Sequence, residues 1–365
     1  MNILSCRFYK AKEFAAVLCA LASLSQPGAS HAIEPSSAVV SKEFIYEHAP
    51  YPQAHASTIV ELSDERIAAA WFGGTRERHE DVSIWFAVRN GDGWSEPAEI
   101  ATGRQTDGSL LPTWNPVLFN PPGEDLHLFY KEGPNPQDWW GMVMRSADGG
   151  ATWTAPERLP DGVLGPVKNK PVVLADGAWL SPSRTERPDP EGWKLHVERS
   201  EDGGETWRAS QPIASPEQID AIQPSILFHA DGRLQMLART RQGAIAMTWS
   251  EDNGKTWSPI AAAALPNPNS GTDAVTLKDG RQLIVYNPTA HRPDEPGKGN
   301  RYPLSVAVSD DGLVWREVLT LETEPLPSGY AYPAVIQASD GRIHITYTHN
   351  RRRITHVEID PAKLK

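Results

Sequence analysis

An eight-residue pattern, Ser-x-Asp-x-Gly-x-Thr-Trp, constrains this chain more than any other feature. It stands in full at Ser146–Trp153, Ser200–Trp207 and Ser250–Trp257, and a copy one residue shorter runs from Ser309 to Trp315. Asn90-Gly-Asp92-Gly-Trp94 is a worn version. In such a turn the Asp carboxylate accepts from backbone N–H groups of its own loop. Gly supplies a left-handed backbone position, and Trp fastens the loop to apolar neighbours. Recurrence at a period of roughly 50 residues predicts a repeat fold in the size range of propeller blades.

The stretch Ile222–Trp257 shows the repeating unit. Ile222–His229, Arg233–Thr240 and Gly243–Trp249 are short apolar runs separated by turn residues, which predicts three antiparallel strands joined by hairpins. Equivalent first strands are expected at His55–Glu61, Trp114–Phe119, Val167–Leu174, Thr272–Leu277 and Tyr332–Gln337. The fold class is therefore all-β: a six-bladed propeller of four-stranded antiparallel blades. The sixth blade runs out of chain near Lys365, so the lone strand Val39–His48 is expected to complete it and close the ring.

Composition agrees with this. The 365 residues include 13 Trp, 28 Gly and 32 Pro, with no long amphipathic helical pattern, which suits an all-β fold rich in turns. At the N-terminus Arg7, Lys10 and Lys12 precede the apolar run Phe14–Leu24, and Ser30-His31-Ala32 offers small residues for cleavage. Residues 1–32 thus read as a secretory signal peptide, leaving 33–365 as one propeller, secreted or periplasmic and without a membrane span after cleavage. Cys6 and Cys19 both fall in the leader, so the mature chain is expected to have no disulfide or thiol chemistry. Formal charge is −11 overall, and −13 once the leader is removed, which argues against nucleic acid or anionic lipid as partners. No metal-ligand spacing or phosphate-binding loop is present, so no cofactor is expected.

In a propeller the first strands line the axis, and loops at one end form the pocket. Polar residues at first-strand starts include His55, Asn115, Lys168, Lys170, Gln223, Asp273, Tyr330 and Tyr332; the loops between second and third strands add Arg76, Glu77, Asp81, Arg239 and Arg301. They predict a polar pocket at one end of the axis, with Arg76, Asn115, Lys168, Lys170, Asp273 and Tyr330 among its substrate-binding residues.

The octapeptides resemble the Asp-box repeats of sialidases and their relatives, and the resemblance covers essentially the whole mature chain. It implies a substrate carboxylate held by arginines, with Arg239 and Arg301 at the second and third positions. His55 stands where the first is expected. It implies an acid/base in the segment Trp71–Asp81, where Arg76 precedes Asp81, and partial burial should raise the pKa of such an acid. It implies a tyrosine nucleophile at Tyr332, with Tyr330 as second choice on the same strand face. The family's activating Glu corresponds to Gln223. An amide cannot accept the tyrosine proton, so either Glu217, Asp220, Glu186 or Glu198 substitutes, or the chemistry differs.

The reading that follows is an exo-α-sialidase-like glycoside hydrolase releasing a terminal acidic sugar from a glycan. A glycosidase or lyase for uronate- or rhamnose-containing polysaccharide is the alternative, with His55 as acid or base. A non-catalytic glycan-binding propeller is the third.

Overall fold

The computed structural model describes residues 37–364 apart from 92, 188–191, 293 and 296. The leader and Asp92 lie outside the described residues.

Six antiparallel sheets follow one another along the chain. The first strands of blades one to six are Gln53–Glu61, Thr113–Phe119, Val172–Val173, Ala221–Phe228, Asp273–Thr276 and Tyr330–Gln337. Blade six takes its outer strand from the N-terminal side: Val39–Phe44 pairs antiparallel with Arg353–Ile359. Ring closure by this strand is as expected, and it ties the two ends of the domain together. Blade one carries two short outer strands, Gly93–Trp94 and Ala98–Ala101, both paired with Ser83–Asn90.

Apolar side chains alternate toward neighbouring blades and fill the space between them. Phe72, Ile84 and Phe86 of blade one pack with Leu118, Leu128 and Met144 of blade two. Leu180 and Val197 of blade three pack with Met236 and Ala246 of blade four, and Val285 and Val306 of blade five with Ile345 and Val357 of blade six. Among the described residues no helix is long and apolar enough to cross a membrane.

The repeated turns are built alike. In the first, Thr152 donates to Asp148 from its backbone N and its hydroxyl, at 2.8 and 2.6 Å, and the Trp153 indole donates to Gly150 O at 3.1 Å. Ser200–Trp207 and Ser250–Trp257 repeat this pattern. These donors hold Asp148 and Asp202 down at about 2.

The first strand of blade three differs from expectation. Only Val172–Val173 pair as a strand, where Val167–Leu174 was expected. Pro171 has no N–H to give a ladder, and Lys168 and Asn169 are committed to other blades.

Four first strands share a kink. The residues Ala56, Asn115, Gln223 and Tyr332 have φ of 56°, 39°, 59° and 53°, and the strand register slips at each. These are β-bulges, which re-aim a side chain out of the pleat. Pro116, Pro224 and Pro333 follow three of them, where a missing N–H costs the ladder nothing. Left-handed backbone at residues other than glycine is uncommon and tends to gather at functional sites.

Candidate active site

Tyr332 leaves its bulge in the midst of groups from four other blades. Its ring lies 4.2 Å from that of His55, and the Arg239, Arg301 and Lys168 charged groups stand 5.7, 6.0 and 5.7 Å from the ring centre. Arg239 and Arg301 therefore lie within about 12 Å of each other, at one end of the axis.

Arg239 is almost wholly committed to the protein. Its Nε and Nη2 donate to Asn269 Oδ1 at 3.0 and 2.7 Å, and Nη1 donates to Gln223 Oε1 at 3.1 Å and Tyr332 Oη at 2.8 Å. Four of its five N–H groups are used, so it cannot clamp a carboxylate bidentately as expected. Instead it positions the tyrosine. Arg301 is different: among the described residues its guanidinium makes no hydrogen bond. It borders a polar cleft of about 320 Å³ with Arg292, Asn300, Ser328 and Arg351. Burial and the charge of Arg239 bring Arg301 down to about 10.

Gln223 has only one orientation that fits. Arg239 offers donors alone, so Oε1 faces Arg239 and Nε2 donates to Tyr332 Oη at 3.1 Å. The phenolic oxygen thus accepts two hydrogen bonds. Burial pushes its ionisation up, but Arg239 and Arg301 outweigh this, Glu77 opposes them, and the Gln223 bond assists them. Tyr332 ionises below the usual tyrosine value. None of the four carboxylates considered as substitutes bonds this hydroxyl. Glu186 pairs with Arg184, Glu198 accepts from Leu164 N and Gly165 N, Asp220 accepts from Trp193 N, and Glu217 is exposed.

His55 is buried, with Nδ1 2.9 Å from the Thr348 hydroxyl. Burial, then Arg351, Arg301, Arg239 and Lys168, push its pKa well below the usual value, so the imidazole is neutral.

The loop after Phe72 departs from expectation. Asp81 accepts from Thr75 N and Thr75 Oγ1 at 3.0 and 2.6 Å and lies 2.8 Å from His79 Nδ1. Its burial is slight, and these donors lower its pKa, the reverse of what an acid needs. Arg76 is exposed on the same loop. Glu77 is the loop carboxylate that faces the site. It pairs with Arg351 at 2.5 Å and acts on the charge of both Tyr332 and Arg301.

Several predicted substrate-binding residues are engaged in bonds within the protein. Asp273 accepts from Ser225 Oγ, Ala274 N, Val335 N and Lys170 Nζ at 2.8, 3.0, 2.9 and 3.0 Å, so both Asp273 and Lys170 stitch blades together. Lys168 is buried and bonds only to the protein. Tyr330 is buried edge-on against Tyr347 and His349, and burial raises it to about 12. It does not share the Tyr332 face, because the bulge between them breaks the two-residue period. Asn115 holds the bulge position in blade two, with no hydrogen bond to Tyr332 among the described residues.

Sequence reasoning did not foresee that Glu77, Arg351 and Asn269 gather around Tyr332, Arg239 and Arg301. Arg351 lies in the second-to-third turn of blade six, within the run Arg351-Arg352-Arg353. The rule that selected Arg76 and Arg301 would have found it. Repeated x-Pro pairs at the first strands were the signal for the bulges. Among the described residues no group of three or more His, Cys, Asp or Glu is placed to hold a metal ion.

Fold and bulge-borne tyrosine together define a sialidase-like six-bladed propeller. A family model described as a BNR repeat-like domain matches residues 65–345, and the chain belongs to that family. No curated protein sequence gives a significant match. Among solved structures, a protein of unknown function from Dyadobacter fermentans is similar at 17% identity and a TM-score of 0.71, covering 88% of this chain and 98% of that one. The Hadza microbial sialidase Hz136 is similar at 16% identity and 0.72, over 89% and 69%. The NanB sialidase of Streptococcus pneumoniae is similar at 14% and 0.68, over 88% and 71%. At these identities the likeness concerns the fold.

Proposed function

We propose that this protein is an exo-α-sialidase-like glycoside hydrolase that removes a terminal acidic sugar from a glycan, acting outside the cytoplasm as its N-terminal pattern suggests. The observation that carries the reading is Tyr332, its hydroxyl receiving hydrogen bonds from Arg239 and Gln223 beside the uncommitted guanidinium of Arg301. The sugar carboxylate meets Arg301, with Arg351 beside it, since a guanidinium fork matches a carboxylate. Tyr332 Oη, deprotonated to the phenolate that the Arg239 and Arg301 charges favour, bonds to the anomeric carbon as the bond to the leaving oxygen breaks. Glu77, freed from its ion pair as Arg351 turns to the sugar carboxylate, gives that oxygen a proton and later takes one from the water that releases the sugar. The sialidase names of two structural neighbours support this class.

A second reading is favoured by Gln223, which donates to Tyr332 and cannot take its proton, and by the neutral His55 against the ring. Here the Tyr332 phenolate takes the proton from the carbon beside a uronate carboxylate and passes it to the glycosidic oxygen as that departs to leave an unsaturated sugar. Incubation with sialosides, rhamnosides and uronate oligosaccharides, with products read by mass spectrometry, tests both. The hydrolase reading expects a saturated acidic sugar, lost in Tyr332→Phe. An unsaturated product replaces it with the lyase, and binding without any product makes the protein a glycan-binding module.

A further inference from the structure

We propose that Lys168 is a positioning residue for Tyr332: a buried ammonium at the propeller axis that fixes the backbone behind the tyrosine and adds a positive charge to its surroundings. The inference rests on reading Tyr332 as the reacting group.

Lys168 enters from blade three and reaches across the ring. Its Nζ donates to Pro333 O of blade six at 2.6 Å, to Thr272 O beside the first strand of blade five at 2.9 Å, and to Asn169 Oδ1 at 2.7 Å. Pro333 is the residue after Tyr332, so the first bond holds the backbone one residue beyond the left-handed bulge. The Nζ also stands 5.7 Å from the Tyr332 ring centre. Gly271 packs against both, since a side-chain carbon there would lie 2.9 Å from Lys168 Cε and 3.2 Å from Tyr332 Cδ2.

The acceptors fix the charge state. An ammonium has three N–H groups for three oxygens, whereas a neutral amine would turn its lone pair toward one of them. Burial pulls Lys168 down to about 7. Asp273 pushes it back up, and Lys170 and Arg239 act with burial. The two oxygens of Asp273 are held by other donors, so it serves Lys168 as a fixed countercharge. Around Tyr332 the other charged or titratable groups include Arg239, Arg301, Arg184, Glu77 and the neutral His55. Lys168 is buried and its ammonium bonds to three protein oxygens, so salt screens it little.

A strap that only held the backbone would leave the tyrosine's titration alone. Lys168→Met keeps length and apolar bulk while removing the charge. The expected result, from a unit charge at this range in a protein interior, is a rise of about tenfold or more in the proton affinity of Tyr332. It is read from tyrosinate absorbance, with Tyr332→Phe identifying the signal. Linkage requires the reciprocal effect: Tyr332→Phe should shift the ionisation of Lys168, followed by nitrogen NMR of its side chain, by a similar factor toward lower pH. This second arm keeps Lys168 in place and decides the matter even where Lys168→Met fails to fold. Titration curves of either group unmoved by loss of the other would overturn the proposal and leave Lys168 a structural strap. Neither measurement uses a glycan, so an inactive protein with the coupling intact would defeat the hydrolase reading and not this one.

Discussion

Gln223 Nε2 donates to Tyr332 Oη at 3.1 Å, and its orientation is dictated by Arg239, which can only donate. The tyrosine hydroxyl therefore sits among donors and positive charge, with no carboxylate bonded to it among the described residues. Gln223→Glu replaces the amide donor with a carboxylate at the same distance. Negative charge there should raise the pKa of Tyr332 while providing an acceptor for its proton. The expected outcome is a tyrosinate titration moved to higher pH, with hydrolysis of an acidic sugar retained or increased. Loss of activity on another glycan, with none gained on sialosides, would make Gln223 a substrate-recognition residue.

Arg239 and Arg301 should separate in their effects. Arg239→Met strands Asn269 Oδ1 and Gln223 Oε1, and each buried acceptor left unpaired costs about 1–3 kcal/mol. Denaturant unfolding should show that loss. Arg301→Met breaks no hydrogen bond among the described residues, so its stability should stay close to the parent. It should instead raise KM for an acidic substrate about 10- to 100-fold, the worth of a hydrogen bond to a charged group. Equal destabilisation by both variants would contradict this division.

The acid role can be assigned by leaving group. Glu77→Gln should cost about 10²–10⁴ in rate on a natural glycoside and far less on one with an activated leaving group, which needs no protonation. Asp81→Asn should disturb only the turn capped through Thr75, with a smaller loss that does not depend on the leaving group. The reverse pattern would return the acid role to Asp81.

The blades were legible because their turn chemistry is local and repeats: Asp148, Asp202 and Asp252 each cap a turn with bonds that lie within eight residues. Closure by Val39–Phe44 was legible from the missing last strand. Of the expected convergence of His55, Arg239, Arg301, Tyr332 and Asp81, the first four gather, since strand starts and the second-to-third loops in a propeller face one axis, while Asp81 is held in its own turn. What could not be read was how polar groups divide among themselves. Lys170 and Asp273 look like substrate ligands in sequence and are an ion pair in the fold. Tyr330 and Tyr332 lie two apart, and a single bulge sends one into the core and the other into the site. The Thr75 cap that withdraws Asp81 and the turn that presents Glu77 are conformational choices of one loop, invisible in its composition.

The ring-closing strand carries the last prediction, an acid limit on stability. Glu43 of Val39–Phe44 accepts from Arg89 and Trp94, each at 3.1 Å, and lies 3.1 Å from His356 Nδ1; His356 Nε2 is in turn 3.0 Å from His344 Nδ1. Burial first, then His356, holds His344 down to about 4, so it stays neutral in the fold while an unfolded chain protonates near 6.5. Unfolding then takes up a proton between pH 6.5 and about 4, and stability falls across that window by roughly 2–4 kcal/mol before levelling off. Glu43 is lowered to about 2, chiefly by its bond to His356, which outweighs its own burial. Its contribution is present above the ordinary glutamate pKa and is lost as pH drops through about 2. Both groups make acid the weak side of the closure. His344→Gln keeps a polar group without a titration, and its unfolding free energy should vary less with pH between 6.5 and 4 than that of the parent. An unchanged slope in that range would place the acid sensitivity elsewhere in the ring.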